Sequence, residues 1–144
     1  MNATPDLIDQ LADELTRAFR RLRRGQRKEL APFGLTFGQA RGLRMIASSP
    51  GGVRIGELAG MLEIVPRSAT TMVDNLENAG LVSRRPDPAD RRSVLVISTS
   101  EGQTLLDRLA EEQRTSAERL FAPLSPQESE ELLRLLQATR EDLS

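Results

Sequence analysis

The chain has 144 residues, 38% of them apolar, which suits one continuous core and leaves little room for several. It contains no cysteine and no histidine, so disulfides, thiolate metal sites and thiol-based redox sensing are excluded, and the commonest general base is missing. The formal net charge is −1, yet residues 17–92 carry fifteen basic side chains against seven acidic ones while both ends are net acidic, the pattern of a polyanion-binding middle held on acidic helices.

The first 30 residues have acidic positions and an arginine run but no apolar signal-like stretch, and no window approaches a membrane span. A cytoplasmic protein with no membrane partner is expected. Leu7, Leu11, Leu15, Ala18, Phe19 and Leu22 recur at helical spacing and predict a long first helix, with Arg17, Arg20, Arg21, Arg24 and Lys28 on the opposite face. Thr36 and Gln39 have the form of a capping box that opens a short second helix with Leu43, Ile46 and Ala47 on its buried side.

Ile55, Leu58, Ala59 and Leu62 repeat the pattern of a compact amphipathic helix ending at Glu63 to Val65. Pro66 suits the first turn of a further helix, in which Ala69, Met72, Val73 and Leu76 share one face before Gly80 stops it. Two helices joined by about three residues predict a helix-turn-helix. Leu81 to Arg85 and Val94 to Ser98 have strand composition and predict a hairpin whose projecting loop runs from Pro86 to Arg92. Thr99 caps a long helix stopped by Pro123, and Ser125, Pro126 and Glu128 open the last one, which carries Leu132, Leu133, Leu135 and Leu136.

The helix from Pro66 leaves Arg67, Thr70, Thr71, Asp74 and Asn78 outward, with Ser68 and Asn75 at the edge. Hydroxyls and amides suit base edges and phosphates in a major groove. Asp74 is out of place beside phosphate, and pairing with Arg84 or Arg85 is expected, with a cytosine amino group as the alternative partner. In the hairpin, Pro86 and Pro88 stiffen a turn that ends in Arg91 and Arg92. One arginine there suits a minor groove, and Asp90 is expected to orient it by a charge-assisted hydrogen bond. A solvated helix face and an ordinary salt-bridged turn are the plain alternatives.

These segments resemble the MarR family of bacterial transcriptional regulators. The resemblance runs from Leu35-Thr36 through Ile55-Gly56-Glu57-Leu58-Ala59, Arg67-Ser68-Ala69-Thr70, Val73-Asp74-Asn75-Leu76-Glu77 and Gly80-Leu81-Val82. It continues through Arg84 and Asp87-Pro88-Ala89-Asp90-Arg91-Arg92 to Thr99-Ser100-Glu101-Gly102 and Leu124-Ser125-Pro126-Gln127-Glu128. It implies a mainly α fold with a small β-hairpin wing, a single domain over residues 1–144 with a winged helix-turn-helix core at about 36–99, and dimerisation helices at about 5–30 and 100–143. It also implies a homodimer that reads pseudo-palindromic double-stranded DNA. Arg67, Ser68, Thr70, Thr71 and Asn75 would lie at the major groove, Arg92 in the minor groove and Arg91 at phosphate, with Asp90 and Arg84 orienting the wing.

Ser98 departs from the leucine usual in the family at that place. Many members bind small aromatic or phenolic anions, for which Phe19, Phe33, Phe37, Met45 and the first-helix arginines are candidates, with core packing as the alternative. No cofactor or metal is expected, and no arrangement of nucleophile, base and orienting group points to an enzyme. The rival function is a winged-helix module that binds a protein partner.

Overall fold

The computed structural model describes residues 2–140, so the last part of the expected dimerisation stretch, residues 141–143, lies outside the described residues. Ten elements follow in chain order: α1 (Pro5–Leu30), a 3-10 turn (Ala31–Phe33), α2 (Phe37–Ala47), β1 (Val53–Arg54), α3 (Ile55–Leu62), α4 (Pro66–Asn78), β2 (Val82–Asp87), β3 (Asp90–Ser98), α5 (Ser100–Phe121) and α6 (Pro126–Ala138). They fall into two compact units, Gly25–Glu111 and the paired end segments Met1–Arg24 with Glu112–Ser144, the latter described over 2–24 and 112–140. No helix among the described residues is long and apolar enough to cross a membrane.

Local chemistry sets the boundaries in the Gly25–Glu111 unit. Thr36 accepts the Gln39 amide N–H at 3.1 Å while the Gln39 side chain accepts the Thr36 N–H at 2.9 Å, a reciprocal capping box that fixes the start of α2. Helix α3 ends at Glu63, the one non-glycine residue with positive φ (55°) among those described, so the helix-turn-helix bend carries some backbone strain. Past α4, Gly80 at φ 76° turns the chain so that the Leu81 N–H reaches the Leu76 carbonyl at 3.0 Å.

Strands β2 and β3 pair antiparallel from Val82 with Ser98 to Pro86 with Val94, and β1 adds to the other edge of β3, giving the order β1-β3-β2. The hairpin is therefore part of a three-stranded sheet. Thr99 joins sheet to helix: its hydroxyl donates to the Gly80 carbonyl at 2.7 Å and accepts the Gly102 N–H at 3.1 Å, capping α5. Leu43 and Ile46 of α2, Leu58 of α3, Val73 and Leu76 of α4, Val96 of β3, and Leu105 and Leu109 of α5 are fully buried together. That shared core holds α4 by one face and leaves the other to solvent.

The terminal unit is built differently. Ser125 and Glu128 form a second capping box at α6, yet no residue of α6 is buried. Leu7, Ile8, Leu11, Leu15 and Phe19 of α1, Phe121 of α5, and Leu133, Leu135 and Leu136 of α6 are all exposed in the single chain.

Candidate nucleic-acid interface

Helix α4 buries Ala69, Val73 and Leu76 and exposes Arg67, Ser68, Thr70, Thr71, Asp74, Asn75 and Asn78. Met72, expected on the buried face, is half-buried and lines a groove of about 400 Å³ with Gln39 of α2 and with Arg67, Ser68, Thr71 and Asn75. The Thr70 hydroxyl donates to the Pro66 carbonyl at 3.1 Å and that of Thr71 to the Arg67 carbonyl at 3.2 Å. With their protons turned back on the helix, both threonines offer methyl groups and oxygen lone pairs outward.

Asp74 is neutralised within the protein. Its Oδ1 accepts from Arg84 Nη2 at 2.6 Å, and Arg84 Nη1 donates to Glu77 Oε1, also at 2.6 Å. The Asp74 hydrogen bond, followed by that to Glu77, holds the Arg84 guanidinium above its ordinary pKa. Of the two expected partners for Asp74, Arg84 is the one found, and it ties β2 to α4. Arg85 instead donates to the Gly51 carbonyl at 2.9 Å. Glu77 was not singled out by the sequence, although its place one turn after Asp74 puts it on the same side of the helix.

The wing differs from the expected long loop. Residues Pro86 and Asp87 belong to β2, and Asp90 to Arg92 belong to β3, so the hairpin closes through Pro88 and Ala89 alone. The register breaks after Pro86, which faces Val94, because Asp87 faces Asp90. Arg91, Arg92 and Ser93 thus have no opposite residues and bulge from the strand. Asp90 shapes the bulge by accepting the Arg92 backbone N–H and the Ser93 hydroxyl, each at 3.0 Å. The expected bond from Asp90 to a guanidinium is not the one it makes, because the backbone N–H two residues on is the nearer donor. Those bonds, the Arg92 N–H first, lower the Asp90 pKa. The Arg91 and Arg92 side chains are exposed and enter no ion pair with the described residues.

Sequence reading missed what anchors this turn. Asp87 is 7% exposed. Its Oδ2 accepts from Arg54 Nη2 at 2.6 Å and Nε at 3.1 Å, and its Oδ1 accepts the Ala89 N–H at 2.9 Å. The Arg54 hydrogen bond and then the Ala89 N–H hold the Asp87 carboxyl below the usual range. The Asp-Pro-Ala order does signal an aspartate folding onto its own turn, but nothing near Arg54 marks it as the partner.

The aromatic candidates separate. Phe33, Phe37 and Met45 pack against the core of the Gly25–Glu111 unit, as their alternative reading had it. Phe33 also lines a groove of about 580 Å³ with Ala79, Gly80, Ser100, Glu101, Thr104, Leu105 and Arg108. Phe19 belongs to the terminal unit, where the Arg23 guanidinium lies 4.2 Å from its ring centre. No group of three or more potential metal-ligating side chains occurs among the described residues.

Several known proteins similar to this chain are transcriptional regulators. The MarR family model matches residues 35–94. The chain is 32% identical over 113 residues to the HTH-type transcriptional repressor Rv2887 of Mycobacterium tuberculosis, covering 78% of this chain and 81% of that protein. It is similar to the structure of the same MarR family protein in complex with DNA, with a TM-score of 0.63 and 27% identity over 97% of this chain and 100% of that one. It is also similar to the transcriptional repressor CouR bound to a 23-mer DNA duplex, with a TM-score of 0.67 and 29% identity over 96% and 97% of the two chains. With a relative at this identity over most of both lengths and the winged fold in place, the chain belongs to the MarR family of winged helix-turn-helix transcriptional regulators.

Proposed function

We propose that this chain is a homodimeric repressor that binds pseudo-palindromic double-stranded DNA, with α4 in the major groove and the β2–β3 wing against the adjacent minor groove and backbone. One observation carries the reading. A single unit presents an exposed polar helix face whose carboxylate Asp74 is already paired, together with two wing guanidiniums that enter no ion pair among the described residues. In this reading Arg67, Ser68, Thr70, Thr71 and Asn75 meet base edges and phosphates, Arg92 enters the minor groove, Arg91 meets phosphate, and Arg84 and Asp90 set the wing. That two similar proteins are seen bound to DNA supports a DNA duplex as the partner.

The exposed apolar residues of α1 and α6 support the dimer, since so many on one terminal unit call for a partner surface. The winged core is assigned to about residues 36–99 and dimerisation to the terminal helices. Repression follows from occupying the operator in the cytoplasm, and release from a small aromatic or phenolic effector that prefers the non-binding spacing of the two α4 helices. The groove beside Phe33 and Arg108 has the size of a small-molecule site and offers a ring and a cation.

A salt titration tests the reading. Phosphate contacts require the logarithm of affinity to fall linearly with the logarithm of salt, with a slope of about −0.9 per phosphate neutralised. A flat response overturns DNA binding and favours the protein-interaction module.

A further inference from the structure

Val65 is the most exposed of the large apolar residues described, at 63%. The other exposed large apolar residues lie in the terminal unit except Met61 and Val94. Val65 stands next to Pro66, Arg67 and Ser68, at the N-cap of α4, with extended backbone (φ −71°, ψ 148°) and no side-chain cap hydrogen bond. Valine is among the poorest N-cap residues, and serine, threonine, asparagine or aspartate in its place would accept a free helix N–H. The neighbouring Ile64 is packed against the core and already secures the turn. The Val65 carbonyl accepts the Ser68 and Ala69 N–H groups, but its side chain gives the folded chain neither a cap nor core burial. A position that departs from local preference without a compensating internal contact points to an external one.

We propose that Val65 is a specificity-determining residue that packs on the C5-methyl group of a thymine in each half-site. The inference rests on the DNA-binding reading above. An apolar, β-branched side chain cannot hydrogen-bond a base edge, and thymine is the base that offers an apolar group in the major groove. Its place at the start of α4 puts it on the end of the reading helix that recognition helices of this class direct at base edges.

The experiment uses the full chain and a duplex selected by it from a random pool. Each thymine is replaced singly by deoxyuridine, which removes only the methyl group, and affinity is measured by fluorescence anisotropy for the wild type and for Val65→Ser. One thymine per half-site should lose about fourfold in affinity on replacement, the worth of one methyl group taken out of water. Val65→Ser, which removes the contact from both half-sites, should lose about fifteenfold on the unmodified duplex, roughly fourfold for each half-site, and be insensitive to that replacement. Serine is a good N-cap, so the variant's Tm should be unchanged or higher, which separates a lost contact from a lost fold. If no thymine is sensitive, or if the deoxyuridine penalty is the same in Val65→Ser, the inference is overturned while DNA binding stands. If the wild type binds no duplex at any salt, both readings are overturned.

Discussion

Arg54 and Asp87 stand 33 residues apart in the chain, and the Arg54 guanidinium closes on one oxygen of the Asp87 carboxylate through both Nη2 and Nε. The other oxygen of Asp87 is occupied by the backbone N–H of Ala89. One carboxylate thus fixes both the position of the wing against the start of α3 and the shape of its tip.

Acid should loosen this clamp. The folded-state pKa of Asp87 is depressed, so its contribution is complete above the ordinary carboxylate pKa of 3.8 and disappears as pH falls through the lower folded value. Thermal melts of the wild type and Asp87→Asn should differ by a constant amount from neutral pH down to about 4. The gap should then close at lower pH, where the wild-type carboxylate is protonated. A gap that does not shrink at all as pH falls below about 4 would mean that the charge of Asp87 is not what holds the wing.

A second prediction concerns Gly102. A Cβ built there would collide with the Leu81 carbonyl oxygen, a backbone atom fixed by the turn after α4 and by the Thr99 N–H. Gly102→Ala should cost about 1–3 kcal/mol in denaturant unfolding, the usual penalty of overpacking. Gly42→Ala should cost less, because the atoms in its way belong to the flexible Met72 side chain. Equal costs would show that the α5 start can shift freely.

The parts of this architecture that were legible in the sequence are those fixed by neighbours within four residues. Thr36 with Gln39 and Ser125 with Glu128 announce their helices because both bonds of a capping box are local. Strand β1 was not legible, since Val53 and Arg54 are too few to show an alternating pattern and exist as a strand only through pairing with Val96 and Leu95. The wing tip failed for a related reason. Its composition reads as loop, whereas register with Pro86 and Asp87 makes it strand and bulge. Of the candidate interface, the outward face of α4 followed from helical spacing, but the backward-turned hydroxyls of Thr70 and Thr71 and the burial of Asp87 depend on tertiary placement that spacing does not encode.

The α1 stripe provides a third prediction. Leu11 is 60% exposed in the single chain and sits among Leu7, Ile8 and Leu15. Leu11→Glu should convert a dimer to a monomer in sedimentation, because a carboxylate buried in an apolar interface has no partner. Operator affinity should drop about a hundredfold or more, as two linked half-site contacts become one. A dimer that survives this change would place the interface elsewhere.

The wing arginines should behave differently from each other. Both project from the bulge, and the Arg92 N–H is fixed there by the Asp90 carboxylate. A side chain on a backbone fixed in this way loses less entropy on entering a narrow groove, whereas phosphate tolerates a looser approach. Arg92→Ala should therefore weaken specific binding by about 1–3 kcal/mol and flatten any preference for A·T pairs beside the half-sites. Arg91→Ala should weaken binding to all sequences alike and reduce the salt slope by about one. Asp90→Ala frees the Arg92 backbone and should reproduce part of the Arg92→Ala loss of sequence preference while leaving the salt slope unchanged. Competition binding against A·T-rich and G·C-rich flanks at two salt concentrations measures all three. Identical profiles for the two arginine variants would reject the division of roles.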